Sequence, residues 1–133
     1  EVVPQAPAAT DATLVLCQAD ATAFYCTAHQ REAFDAVVTC YFIDMPKCVT
    51  ECLDMVDHVL RPGGVWVNLG PLHYSMADDA GPELSYTEVL QYLQMRGYEV
   101  LSDVLKEVTY SRDQGSVMYR EQYIVAWSAL RKP

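Results

Sequence analysis

Residues Phe34 to Leu72 constrain the fold more than any other stretch. They read FDAVVTCYFIDMPKCVTECLDMVDHVLRPGGVWVNLGPL, which parses as strand, loop, helix, turn and strand. The first strand, Asp35 to Phe42, is a near-continuous apolar run, the pattern of a parallel strand covered on both faces. Pro46 opens a helix at a first-turn position, where its missing N–H is harmless. Cys48, Val49, Cys52, Leu53, Val56, Val59 and Leu60 then form one stripe at helical spacing. Arg61-Pro62-Gly63-Gly64 stops the helix and turns the chain into a strand over Val65–Leu69. Strand, helix and strand in that order make a parallel pair. In open α/β sheets, binding sites form where the carboxyl ends of such strands meet their loops. The stretches ending in Asp44 and in Gly70-Pro71 are therefore where chemistry is expected.

The flanking segments extend this unit. Residues 1–12 are rich in Pro and Ala and read as an extended connector, without the basic and apolar regions of a signal peptide. Thr13 to Gln18 is a short apolar run of strand type, followed by a short helix or turn around Ala21–His29. After the strand Val65–Leu69 comes a polar loop, Pro71–Pro82, of a length often tied to function. Ser85 and Glu88 make a capping box for a helix that runs to Met95 or Arg96 and stops at Gly97. Tyr98–Leu105 and Gln122–Leu130 read as two strands of an antiparallel hairpin, joined through Ser111–Ser116. The expected architecture is one partial α/β domain over residues 13–133, mostly parallel with an antiparallel closing hairpin.

Composition narrows the function classes. Eighteen acidic against nine basic residues give a net charge of −9, which speaks against nonspecific binding of nucleic acid or anionic membranes. No apolar run approaches the roughly 18–20 residues that span a bilayer. The five cysteines, Cys17, Cys26, Cys40, Cys48 and Cys52, include no CxxC pair. They suit reduced, buried thiols in an intracellular protein, with the cytoplasm expected first and the nucleus or an organelle as alternatives. Cys48 and Cys52 share a helix face at i,i+4, but core packing describes them better than a metal site. No metal cluster stands out.

The strings TCYFID, LRPGGVWVNLGPLHY and ELSYTEV, with a Tyr-rich hairpin closing in LRKP, resemble the carnosine N-methyltransferase family. The likeness covers the chain from about Asp20 onward. It implies the C-terminal part of a Rossmann-like class I methyltransferase sheet, with S-adenosylmethionine as cofactor and a small peptide as substrate. The strand order of that class, 3-2-1-4-5-7-6, makes Thr13–Gln18 strand three and Asp35–Phe42 strand four. The class also binds its cofactor through a Gly-rich loop after strand one and an acidic residue after strand two. This sequence has neither, since the glycines of LRPGG and NLGP do not sit between a strand and a helix N-terminus. Strand three would then have nothing to pair with, so the N-terminal half is expected in cis or from another chain, with a larger assembly as a further alternative.

The resemblance assigns roles residue by residue. Asp20 matches the acidic residue that bonds the cofactor's adenine, with Ala21 beside it; the alternative is a helix N-cap. Thr39 and Cys40 would lie near the cofactor through backbone groups. Asp44 matches the carboxylate that faces the substrate imidazole, where accepting one ring N–H fixes the tautomer and leaves the other nitrogen free to attack. Its alternative is a cap on the following helix. His73 lies two positions before the family's histidine, where this chain has Ser75, so a plain loop residue competes with a substrate contact. Tyr110, Tyr119 and Tyr123 match the hairpin tyrosines that enclose the substrate. Asn68 fits either a structural or a site role. The competing functional reading is a methyltransferase-derived structural subunit without turnover.

Overall fold

The computed structural model describes residues 13–74, 82–109, 111, 113–115, 117 and 122–133, with the side chains of 122–129 outside the description. Helix α1 spans Ala21–Tyr25 and leads through a short 3-10 turn, Ala28–Gln30, into strand β1, Phe34–Cys40. Helix α2 covers Val49–Val59, strand β2 Leu60–Gly70 and helix α3 Tyr86–Met95. Strands β3, Glu99–Thr109, and β4, Gln122–Arg131, form the closing hairpin.

The sheet order is β1-β2-β4-β3. Beginning from strand four, this is the 4-5-7-6 half of the class I order. β1 and β2 are parallel, while β2–β4 and β3–β4 are antiparallel, so the expected mostly parallel sheet is a mixed one among the described residues.

The helices cover one face of it. On β2, Trp66 and Asn68 are buried toward the helices, while Val65, Val67 and Leu69 on the alternate face are half-buried. The α2 part of the predicted stripe is buried: Val49, Cys52, Leu53 and Val56 join Leu60, Trp66 and Leu130 in one core, and Val59 is buried as well. Helix α3 adds Val89 and Leu93 to the same core. Its N-terminus carries the expected capping box: Ser85 N–H and hydroxyl each donate to Glu88 Oε2 at 2.7 Å, and Glu88 N–H returns to Ser85 Oγ. Gly97, at φ 87°, ends it. Lys132 closes the other side, donating from Nζ to the carbonyls of Asp57 and Leu60 at 2.7 and 2.9 Å, so it satisfies the open C-terminal end of α2.

Five expectations need correction. Thr13–Gln18 forms no strand: it has no ladder partner among the described residues, and Leu14, Val15 and Leu16 are 83%, 78% and 88% exposed. A strand exists only where another backbone takes up its N–H and C=O groups. β1 is not covered on both faces, since Val38 is 72% exposed. Pro46 does not open the helix; α2 starts at Val49 with Cys48 as N-cap, and β2 begins at Leu60 rather than Val65. The thiols are not generally buried either: Cys17, Cys26 and Cys40 are exposed, Cys48 is intermediate and only Cys52 is buried. Residues 1–12, read as a connector, lie outside the described residues. No described helix is long and apolar enough to cross a membrane.

Candidate functional site

Thr39 pairs with Asn68 and Cys40 with Leu69, so the carboxyl ends of β1 and β2 open side by side. The loops leaving them are drawn together. Tyr41 N–H donates to the Leu69 carbonyl at 2.7 Å. A Cβ on Gly70 would stand 3.1 Å from both Tyr41 N and Tyr41 Cα, so only glycine admits this approach without a shift. Tyr41 and Tyr74 hold φ of 51° and 49°, the left-handed region that costs non-glycine residues energy. Both strained positions flank the same point.

Asp44 lies at that point. It occupies the turn closed by Met45 N–H donating to Phe42 O at 2.9 Å, and it is 6% exposed. The backbone N–H of His73 donates to Asp44 Oδ2 at 2.7 Å. A buried carboxylate needs such a donor, because leaving it bare of hydrogen bonds is costly. The helix-cap alternative for Asp44 fails, since Cys48 holds the N-cap of α2 and makes no side-chain cap bond. Cys48 Sγ instead lies 2.8 Å from Thr50 Oγ1. The buried thiol of Cys52 is pushed up to about 12, first by its burial and then by the negative charge of Asp44. It remains a protonated thiol at neutral pH. No group of three or more His, Cys, Asp and Glu side chains is placed to hold a metal among the described residues.

His73 thus reaches Asp44 through its backbone while its side chain is exposed. The residue after it was missed in the sequence. The Tyr74 hydroxyl donates to the Leu84 carbonyl. Burial foremost raises its phenol above the ordinary value; the hydrogen bond to Leu84 opposes this, and the charges of Asp44, Glu83 and Cys48 add to it. Tyr74 therefore sits within the field of two carboxylates. Its place in the GPLHY string next to His73 was the available signal, and only the tertiary approach of Leu84 and Glu83 gives it meaning.

Of the residues expected at the cofactor, Ala21, Thr39 and Cys40 meet along a second wall, and Asp20 is not part of its lining. Ala21, Tyr25, Val38, Thr39, Cys40 and Phe42 help line a groove of about 440 Å³ between α1, β1 and α2. The Thr39 side chain is committed inward: its hydroxyl donates to Asn68 Oδ1 at 2.8 Å and accepts from Trp66 Nε1 at 2.9 Å, all buried. That leaves backbone groups as its route to a ligand and gives Asn68 a structural role. Asp20 caps α1, its Oδ1 accepting the Ala23 N–H at 2.8 Å. Its other carboxylate oxygen makes no bond among the described residues. Tyr110 and Tyr119 lie outside the described residues. Tyr123 is described in its backbone alone, where it pairs with Val108.

Comparisons with known proteins place the chain in a family. A family model described as carnosine N-methyltransferase matches residues 1–133. The carnosine N-methyltransferase of Mus musculus is 35% identical over 107 residues, covering 76% of this chain and 26% of its own length. That of Schizosaccharomyces pombe is 31% identical over 106 residues, covering 71% of this chain and 28% of its own length. The chain thus spans about a quarter of the length of these relatives. A solved chain from work on the conversion of a disulfide bond into a thioacetal group during echinomycin biosynthesis matches with a TM-score of 0.51 at 15% identity. The match covers 86% of this chain and 53% of that one, a likeness of fold.

Proposed function

The chain belongs to the carnosine N-methyltransferase family, within the S-adenosylmethionine-dependent methyltransferases, and on that premise we propose that it is the C-terminal part of an enzyme methylating the imidazole of carnosine or a related histidine-containing peptide. The observation that carries the proposal is the buried Asp44 carboxylate at the joined strand ends, with Oδ2 bonded to the His73 amide.

S-adenosylmethionine, when bound, supplies an electrophilic methyl group. The groove shared by Ala21, Thr39 and Cys40 has the apolar walls that an adenosyl group fits, and the open oxygen of Asp20 is an acceptor for an adenine amine. The Gly-rich loop that completes such a site is not among these residues, so the rest of the polypeptide, in cis or as another chain, supplies it. Asp44 performs the chemistry assigned to this chain. With Oδ2 held by His73, Oδ1 accepts one imidazole N–H. That fixes the tautomer and presents the other nitrogen's lone pair for in-line attack. As the ring becomes a cation, the same carboxylate stabilises it, and the site's burial strengthens that interaction. The family resemblance assigns Tyr110, Tyr119 and Tyr123 to enclosing the ring.

The test is methyl transfer by the full-length protein that contains this chain, incubated with S-adenosylmethionine and carnosine. The expected product is an imidazole-methylated dipeptide, with cofactor binding in the micromolar range. No product, together with undetectable binding at millimolar cofactor, supports a structural subunit without turnover instead.

A further inference from the structure

A second cavity, of about 460 Å³, opens beside the Asp44–His73 contact. Leu72 and Tyr74, the neighbours of His73, line it, with Gly70, Tyr86, Leu105 and Glu83. Its two phenol hydroxyls are engaged: Tyr74 donates to the Leu84 carbonyl and Tyr86 to Asp103 Oδ1. Glu83, exposed at this cavity, is the only carboxylate among its described lining residues, which are otherwise aromatic or apolar apart from Gly70 and Ser85. Glu83 forms no ion pair among the described residues. Tyr74 and Glu83 share this cavity, and the residue before Tyr74 is the one whose amide holds Asp44.

A carboxylate set among tyrosine rings suits an ammonium group, which gains a charge-assisted hydrogen bond from the one and cation–π attraction from the others. We propose that this cavity is the subsite for the primary ammonium end of the substrate, held by Glu83 between Tyr74 and Tyr86 while the imidazole lies on Asp44. The proposal rests on the methyl-transfer reading and adds to it what selects an amine-bearing histidine peptide over free imidazole compounds. Glu83 acts here as a specificity residue, remote from the reacting atoms.

The test uses the full-length protein and its Glu83→Gln variant; Glu83 is exposed, so the substitution does not threaten the core. Calorimetry measures Kd for β-alanyl-histidine, for N-propionyl-histidine, which lacks the ammonium, and for S-adenosylmethionine, which carries an ammonium of its own. Loss of one charged hydrogen bond should weaken β-alanyl-histidine by about tenfold to a hundredfold. The propionyl peptide and the cofactor should bind unchanged, and Glu83→Asp should fall between the two proteins. Equal weakening of both peptides, no change in either, or a loss confined to the cofactor overturns the subsite. Methylation assayed on the same samples separates the two ideas. Glu83-dependent binding of the dipeptide without methylation keeps the subsite and sinks the methyl-transfer reading. Methylation with Glu83-independent binding does the reverse, and a wild-type protein that binds neither peptide overturns both.

Discussion

The backbone amide of His73 donates to Asp44 Oδ2 across 2.7 Å, fastening the loop after β2 to the turn after β1. The contact makes one site from two strand ends. It also separates the histidine's backbone from its side chain, since any residue but proline supplies the N–H.

We therefore expect His73→Ala to keep Asp44 in place and His73→Pro to release it. Removing a hydrogen bond to a buried charge costs about 1.5–3 kcal/mol. Chemical denaturation of the two variants should differ by about that amount, with the proline form less stable. Equal stabilities would show that the amide does not hold the carboxylate.

Thr39 joins β1 to β2 through Asn68 and Trp66, and all three are buried. Thr39→Val keeps the shape but leaves the indole N–H of Trp66 without its acceptor, a loss of about 1–3 kcal/mol in stability. Thr39→Ser restores the hydroxyl and should recover most of it. A valine variant as stable as the parent would mean that another group or water takes the indole proton.

Much of this fold is legible in the sequence, and the exceptions share a cause. The α2 stripe, the Ser85–Glu88 box, the Gly97 stop and the hairpin depend on spacing or on neighbours within a few residues, and each is found in the structure. The start of α2 is different. Pro46 is a good local signal, but Asp44 is held in its turn by His73, twenty-nine positions away, and Cys48 takes an extended N-cap conformation. Thr13–Gln18 has the composition of a strand, yet pairing is a property of two segments. At the site, Asp44 and His73 were both visible as side chains. Their actual link, through an amide, leaves no trace in residue type.

Acid should loosen the start of α3. Glu88 is held below its ordinary value of 4.5, first by the Ser85 hydroxyl and then by the Ser85 N–H. A depressed folded-state pKa gives stability that is present above the ordinary value and lost as pH falls through the depressed one. The ionised Glu88 thus stabilises α3 at neutral pH, and the contribution fades below about pH 4.5. In Glu88→Gln this part of the stability–pH profile should flatten. A variant whose acid profile overlays that of the parent would show that the capping box is not the group titrating.

The most direct test of the account is the rate of imidazole methylation by Asp44→Asn in the full-length protein. The asparagine oxygen can still accept the His73 N–H, so the loop geometry survives, but the amide NH2 then faces the imidazole N–H, donor against donor. A positioned group of this kind contributes about a hundredfold or more, and kcat/KM should fall by at least that factor. A loss of less than roughly tenfold would contradict the role given to Asp44.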